Sequence, residues 1–235
     1  MAEADLLRQH ADVLFRTDAA GRLVAINEPD GEAPPRLFLA RGRADHVVRF
    51  RSDLSAPTVD ACLRLCALLP PWDGRPADPS LFEPLRLALG GEAPTTLEER
   101  GPAFLFGERV DPPVDAGAIL IDERSAHLLE GNFSYTQANL GRRSPVVGVI
   151  EDGAVVSACY SARRTATACE AGVDTEESYR GRGYAPLVVA GWRTVVELTG
   201  AVPLYSTTWD NAVVGQFASA RRAIASSVLA QTARL

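Results

Sequence analysis

A chain of 235 residues with 46% apolar side chains is long enough for one large globular domain or two small ones with a filled core. Its net charge of -6 and isoelectric point near 5.2 argue against a sequence-independent grip on nucleic acid, which needs a basic face or stripe, so no nucleic-acid partner is expected and any basic site must be local. All 24 basic residues are arginine, which together with the heavy alanine usage fits a GC-rich genome better than a function.

The opening stretch MAEADLLRQHADVLF lacks the basic segment, apolar run and small-residue cleavage site of a secretory leader. No apolar run approaches the ~20 residues that span a bilayer, so a cytoplasmic protein without a membrane partner is expected. Residues 22–27 (RLVAIN), 36–41 (RLFLAR) and 46–51 (HVVRFR) read as strands separated by turn formers, and suggest a small antiparallel meander. An amphipathic helix over about 58–69 carries Val59, Cys62, Leu63, Cys66 and Leu69 on one face. Cys62 and Cys66 read there as small core residues, because a metal would need further ligands that the neighbourhood does not offer. His10, His46 and His127 are isolated, so neither a metal nor a histidine triad is expected. The four prolines of 70–79 mark a linker or surface loop, residues 80–89 a short helix, and 90–113 an irregular stretch. A domain boundary is placed near residue 110, giving an N-terminal α+β domain (1–110) and a second domain (111–235).

In the second domain GAILID (117–122) reads as a strand and residues 125–143 as two short helices. Residues 144–161 read as two strands joined at the Asp152-Gly153 turn, a strong hairpin signal. Residues 167–175 form a third strand that pairs back through the Arg163-Arg164 corner. The segment YRGRGYAP (179–186) follows, and then apolar residues at helical spacing from Tyr184 to Leu198, with Pro186 in the first turn and Gly200 at the C-terminal cap. A strand VPLYSTTW (202–209), a helix from Asn211 to about Arg222 and a last strand over 226–235 complete the order.

Strand, Arg-Gly-Arg-Gly turn and helix together suit an anion. The first amides of a helix lack partners and sit at the positive end of its dipole. Gly181 and Gly183 let the main chain approach a phosphate, and Arg180 and Arg182 can add charge-assisted bonds. An isolated turn of this kind is equally well read as a solvated helix cap. A triphosphate loop would require a lysine, which the chain lacks; a dinucleotide fingerprint would need a third glycine where Ala185-Pro186 stands.

Residues 180–185 (Arg-Gly-Arg-Gly-Tyr-Ala) resemble the Arg/Gln-x-x-Gly-x-Gly/Ala motif of the Gcn5-related N-acetyltransferase (GNAT) superfamily, in the same position between a strand and an apolar helix. The likeness covers about residues 116–235. It implies an α+β fold with a mixed, mostly antiparallel central sheet flanked by helices; the additional N-terminal α/β region is not explained by the likeness, and a degenerate copy of the same fold is one alternative for it. It also implies acetyl-CoA as cosubstrate and transfer of an acetyl group to a primary amine of a small molecule or peptide by direct attack. The backbone of Gly181, Arg182, Gly183, Tyr184 and Ala185 would hold the pyrophosphate, assisted by Arg180 and Arg182. The exposed edge of the preceding strand, Val173 to Thr175, would pair with the pantetheine arm, and Asn211 would bond it. A backbone N–H near Ala171 to Val173 would polarise the thioester carbonyl.

An amine must lose a proton before it attacks. Glu170, inside that strand, is the expected base; the alternatives for it are a solvent-facing position or pairing with Arg163 or Arg164. The family's usual acid, a tyrosine in the helix after Asn211, is replaced by Ala218, leaving Ser206 as the candidate donor, with Tyr205 and Thr208 as substitutes and, since a thiolate is a tolerable leaving group, no dedicated acid as the remaining alternative. The tail lacks the family's Gly-Phe, so the final strand is expected to be short or atypical. The missing tyrosine keeps a second reading open, a non-catalytic acyl-CoA-binding or sensing protein. The N-terminal half would shape the acceptor cleft or form a homodimer contact.

Overall fold

The computed structural model describes residues 2–91, 95–106, 117–209 and 221–232. In chain order the elements are α1 (Glu3–Leu14), β1 (Phe15–Thr17), β2 (Leu23–Ile26), β3 (Leu37–Arg41), β4 (His46–Phe50), α2 (Ala56–Cys66), α3 (Glu83–Gly90), β5 (Thr95–Phe106), β6 (Ala118–Ile121), α4 (Ser134–Ala138), α5 (Leu140–Arg143), β7 (Val146–Glu151), β8 (Ala154–Arg164), β9 (Ala168–Thr175), α6 (Tyr184–Leu198), β10 (Val202–Ser206) and β11 (Arg221–Thr232). Contacts divide them into two units. One comprises Met1–Leu105, Ser206–Gln216 and Arg222–Leu235; the other comprises Phe106–Tyr205 and Phe217–Arg221. The boundary expected near residue 110 and the helix expected from Asn211 lie outside the described residues.

The first unit orders its strands β4-β3-β11-β5. β3 pairs antiparallel with β4 and with β11, Leu39 standing opposite Val48 on one side and Val228 on the other. Alternation along β3 makes the sheet two-faced. Leu37 and Leu39 point to a core completed by Cys62, Cys66, Phe82, Leu85 and Leu89 of α2, α3 and the turn between them. Phe38 points the other way, 5.1 Å from the Phe15 ring and 6.0 Å from that of His10, where α1 buries Leu6, Leu7, Ala11 and Leu14.

Three expectations for this unit need correction. Residues 22–27 do not join a meander, because Asp18 Oδ1 accepts the amides of Ala20 and Arg22 and Gly21 (φ +74°) closes a tight turn that folds β2 back on β1. The stretch 90–113 is not irregular throughout, since β5 occupies 95–106. The last strand is not short: β11 is 12 residues long and already begins at Arg221, inside the span expected as helix.

The second unit orders its strands β10-β9-β8-β7-β6, with β9 and β10 parallel and the remaining neighbours antiparallel. The β7–β8 hairpin closes at Asp152 (φ 51°) and Gly153 (φ +81°), as its two-residue turn predicts. α6 lays Val188, Val189, Trp192 and Val196 on one face of the sheet against Val147, Val149, Cys159, Cys169 and Ala171. The other face, with Val146, Val155, Ala158 and Tyr160, is covered by Leu129 and Phe133 from the segment that leads through α4 and α5. No helix among the described residues is long and apolar enough to cross a membrane.

Candidate active site

The site is organised by β9 and the turn that follows it. β9 pairs with β8 along its length, Tyr160 opposite Gly172 and Arg163 opposite Glu170, with an irregularity between Ser161 and Arg163. The bulge therefore lies in β8, across from Glu170 and Ala171. On the other side β9 is in register with β10 for three pairs only, Val202 with Ala168, Pro203 with Cys169 and Leu204 with Glu170. β9 runs on to Thr175 beyond that last pair. A strand that parts from its parallel neighbour leaves backbone N–H and C=O groups available to an extended ligand.

Alternation decides which side chains meet that opening. Cys169, Ala171 and Val173 pack toward α6, so Glu170, Gly172 and Asp174 share the opposite face. Glu170 is 2% exposed, which removes the solvent-facing alternative, and its cross-strand neighbour is Arg163. Tyr205 of β10 packs with the α6 face.

The turn expected to hold a phosphate is built as its residue types require. Gly181 and Gly183 have φ of +77° and +82°, and a Cβ built on either would meet no atom within 4 Å. Gly183 is the left-handed N-cap of α6, with no side chain capping it. The open space above both glycines and the uncapped helix start fit a pyrophosphate. The arginines are turned to local tasks: Arg180 Nε donates to the Thr175 carbonyl at 3.3 Å, and Arg182 Nη2 donates to the Ser178 carbonyl at 3.2 Å while its guanidinium lies 4.6 Å from the Tyr179 ring centre. Tyr184 opens the helix and donates to Glu151 Oε1 at 2.7 Å; Tyr179 donates to Asp152 Oδ2 at 3.1 Å. Each of these bonds to a carboxylate pushes the tyrosine pKa up. The β7–β8 turn is thereby fastened to the motif, a tie no spacing in the sequence shows.

Ala185 lies half-buried in the first turn of α6. Thr175 Oγ1 lies 2.8 Å from Ser157 Oγ, and half-buried Val173 faces the helix. The residues from Glu170 to Ala185 thus form one continuous strand, turn and helix start. Asn211 and Ala218 lie outside the described residues, and the contact units group Ser206 with the first unit rather than the second.

A cluster that sequence reasoning missed stands beside Glu170 on the same face. The Tyr160 ring covers Gly172 so closely that a Cβ there would lie 2.3 Å from Tyr160 Cε2. Its hydroxyl donates a short bond to Asp174 Oδ2, and the Arg143 guanidinium sits 4.1 Å from its ring centre and 4.8 Å from that of Tyr135. Burial, then the Asp174 carboxylate, raise the Tyr160 pKa, so the phenol stays protonated and holds Asp174 in place. The available signal was Gly172 itself, a glycine inside a strand, which marks a close approach. Among the described residues no group of histidine, cysteine and carboxylate side chains is placed to hold a metal.

No family model matches the chain, and no curated protein matches its sequence. Solved structures do match. A tandem GNAT protein from the clavulanic acid biosynthesis pathway aligns over 96% of this chain and 91% of its own, with a TM-score of 0.50 and 15% identity. A GCN5-related N-acetyltransferase from Kribbella flavida aligns over 99% and 96%, with a TM-score of 0.49 and 15% identity. A putative GNAT-family acetyltransferase from Novosphingobium aromaticivorans aligns over 60% and 68%, with a TM-score of 0.45 and 19% identity. At such identities the likeness concerns the fold, and the first of these carries it: the chain has the GNAT fold, a mixed, mostly antiparallel sheet flanked by helices. The match at 96% of the chain is wider than the span of 116–235 that resembles the family in sequence.

Proposed function

We propose that the protein transfers an acetyl group from acetyl-CoA to an amine of a small molecule or peptide, by direct attack in a ternary complex. The observation that carries this reading is the path from Glu170 to Ala185: β9 leaves its register with β10 at Glu170, continues to Thr175, and enters a two-glycine turn that opens an uncapped helix. Acetyl-CoA, when bound, supplies an activated acyl thioester and a thiolate leaving group.

The chain's own residues supply the rest. The amides of Gly181, Arg182, Gly183, Tyr184 and Ala185 donate to the pyrophosphate, and Arg180 and Arg182 stiffen that turn while adding positive charge beside it. The edge of β9 from Val173 to Thr175 receives the pantetheine arm, with Asn211 as its further partner. An amide between Ala171 and Val173 polarises the thioester carbonyl and stabilises the charge that develops there. Glu170 takes the proton that the acceptor ammonium must lose, directly or through a water, and Ser206 gives one to the departing thiolate.

Thermal unfolding with and without CoA, followed by a free-thiol assay over a panel of amines, tests the reading. Glu170→Gln should cut turnover by about 10² to 10⁴-fold, the usual worth of a general base, with CoA affinity unchanged. Gly183→Trp should abolish CoA stabilisation, because the indole would fill the space above the turn. Full activity in the first variant would remove Glu170 from the chemistry; undiminished CoA binding in the second would remove the phosphate cradle. Strong CoA binding without turnover on any amine would favour the acyl-CoA-sensing reading.

A further inference from the structure

The first unit holds a buried cation that acetyl transfer does not use. Arg41 ends β3 and is 3% exposed. Alternation places it on the Leu37 and Leu39 face, and its guanidinium lies over the Phe82 ring, 5.5 Å from the ring centre. Its Nε and Nη1 are buried and make no hydrogen bond. Directly opposite on β11 stands Ser226, 0% exposed, whose Oγ is also buried without a hydrogen-bond partner. On the other side its cross-strand neighbour is half-buried His46, whose ring nitrogens lie 3.0 Å and 3.2 Å from the carbonyl oxygens of Asp45 and Leu69. Among the described residues no carboxylate pairs with Arg41.

A guanidinium buried without a counter-charge is strongly unfavourable, and the face of one phenylalanine compensates only in part. Residues opposite each other on antiparallel strands share a face, so the Ser226 hydroxyl and the Arg41 side chain project from the sheet side by side. Both are donors lacking an acceptor. We propose that Arg41 and Ser226 form a binding site for the carboxylate of a small molecule. One guanidinium balances one negative charge. A phosphate dianion would leave excess charge in a layer otherwise built from Leu39, Phe82 and Val228, whereas a carboxylate leaves none.

Thermal unfolding of the full chain in sodium acetate against sodium chloride, at matched ionic strength and pH and without CoA, tests the site. Acetate should raise the wild-type midpoint along a saturating curve. Arg41→Met should lose that response and unfold in chloride at or above the wild-type temperature, because its unpaired charge is gone. Ser226→Ala keeps the cation and should need roughly tenfold more acetate for half the effect, the worth of one hydrogen bond to a charged group. A wild-type midpoint indifferent to acetate, an undiminished response in Arg41→Met, or an unshifted titration in Ser226→Ala would each overturn the proposal. A phosphate response larger than the acetate one, lost in Arg41→Met, would overturn its assignment to carboxylates. Acetate here is read without CoA or acceptor, so the outcome is independent of the acetyl-transfer reading.

Discussion

Gly172 shows how one missing atom shapes the candidate site. Tyr160 is fixed by its hydroxyl on Asp174, by Arg143 against its ring and by the core around Phe133 and Val155, so it cannot retreat from a Cβ placed 2.3 Å away. Gly172→Ala should therefore destabilise the protein by about 1–3 kcal/mol in urea unfolding, the usual cost of overpacking. Tyr160→Phe leaves the ring in place and should cost only about 1 kcal/mol, one net hydrogen bond. Equal effects would mean that the ring is not pinned. Cys66 offers a pH test at the same scale. Burial, then the neighbouring Cys62, push its thiol up to about 12, so the folded state favours the neutral form. The stability this brings is intact below the unfolded thiol pKa near 8.5 and is lost as pH rises from there toward 12. Between those limits Cys66→Ala should lose less stability with rising pH than the wild type does; parallel curves would refute the shift.

Elements with local signals were legible in the sequence. β7 and β8 follow from the Asp152-Gly153 turn, β9 from its pairing back through the Arg163-Arg164 corner, and α6 from helical spacing with Pro186 in its first turn and Gly200 at its end. The path from Glu170 to Ala185 was legible with them, because a strand, a glycine turn and a helix adjacent in sequence remain adjacent in space. β5 was not legible, since Gly101-Pro102 in its middle argues against a strand. Those two residues serve contacts that only the fold supplies: a Cβ on Gly101 (φ +141°) would lie 2.2 Å from the Thr207 carbonyl oxygen, and the Pro102 carbonyl accepts the Thr207 amide at 3.2 Å. The Tyr160, Asp174 and Arg143 cluster was hidden for the same reason, being drawn from a strand, its neighbour and a distant helix. Gly101→Ala meets both a backbone clash and a conformation that side chains avoid, and should cost at least about 1–3 kcal/mol in urea unfolding. A neutral outcome would show that β5 relaxes around that position.

At the scale of the molecule, chain order and spatial order part company. β11, from the last residues of the chain, stands between β3 and β5, and its Val228 and Ala230 complete the core that α2 and α3 cover. A sequence reading that moves from one end to the other assigns this strand to whatever precedes it, because cross-strand pairing over such separation leaves no local trace. The cysteines provide a probe for the arrangement, since all four are buried thiols, Cys62 and Cys66 in the first unit and Cys159 and Cys169 in the second. Val228 is 0% exposed and faces Leu39, so Val228→Asp would bury an unpaired carboxylate in the first unit's core, among the most damaging kinds of substitution. Pulse alkylation across a urea series, read by mass spectrometry of the cysteine peptides, should then show Cys62 and Cys66 becoming reactive at clearly lower urea than in the wild type. Unchanged protection of those two thiols would mean that the end of the chain does not close the first unit's core.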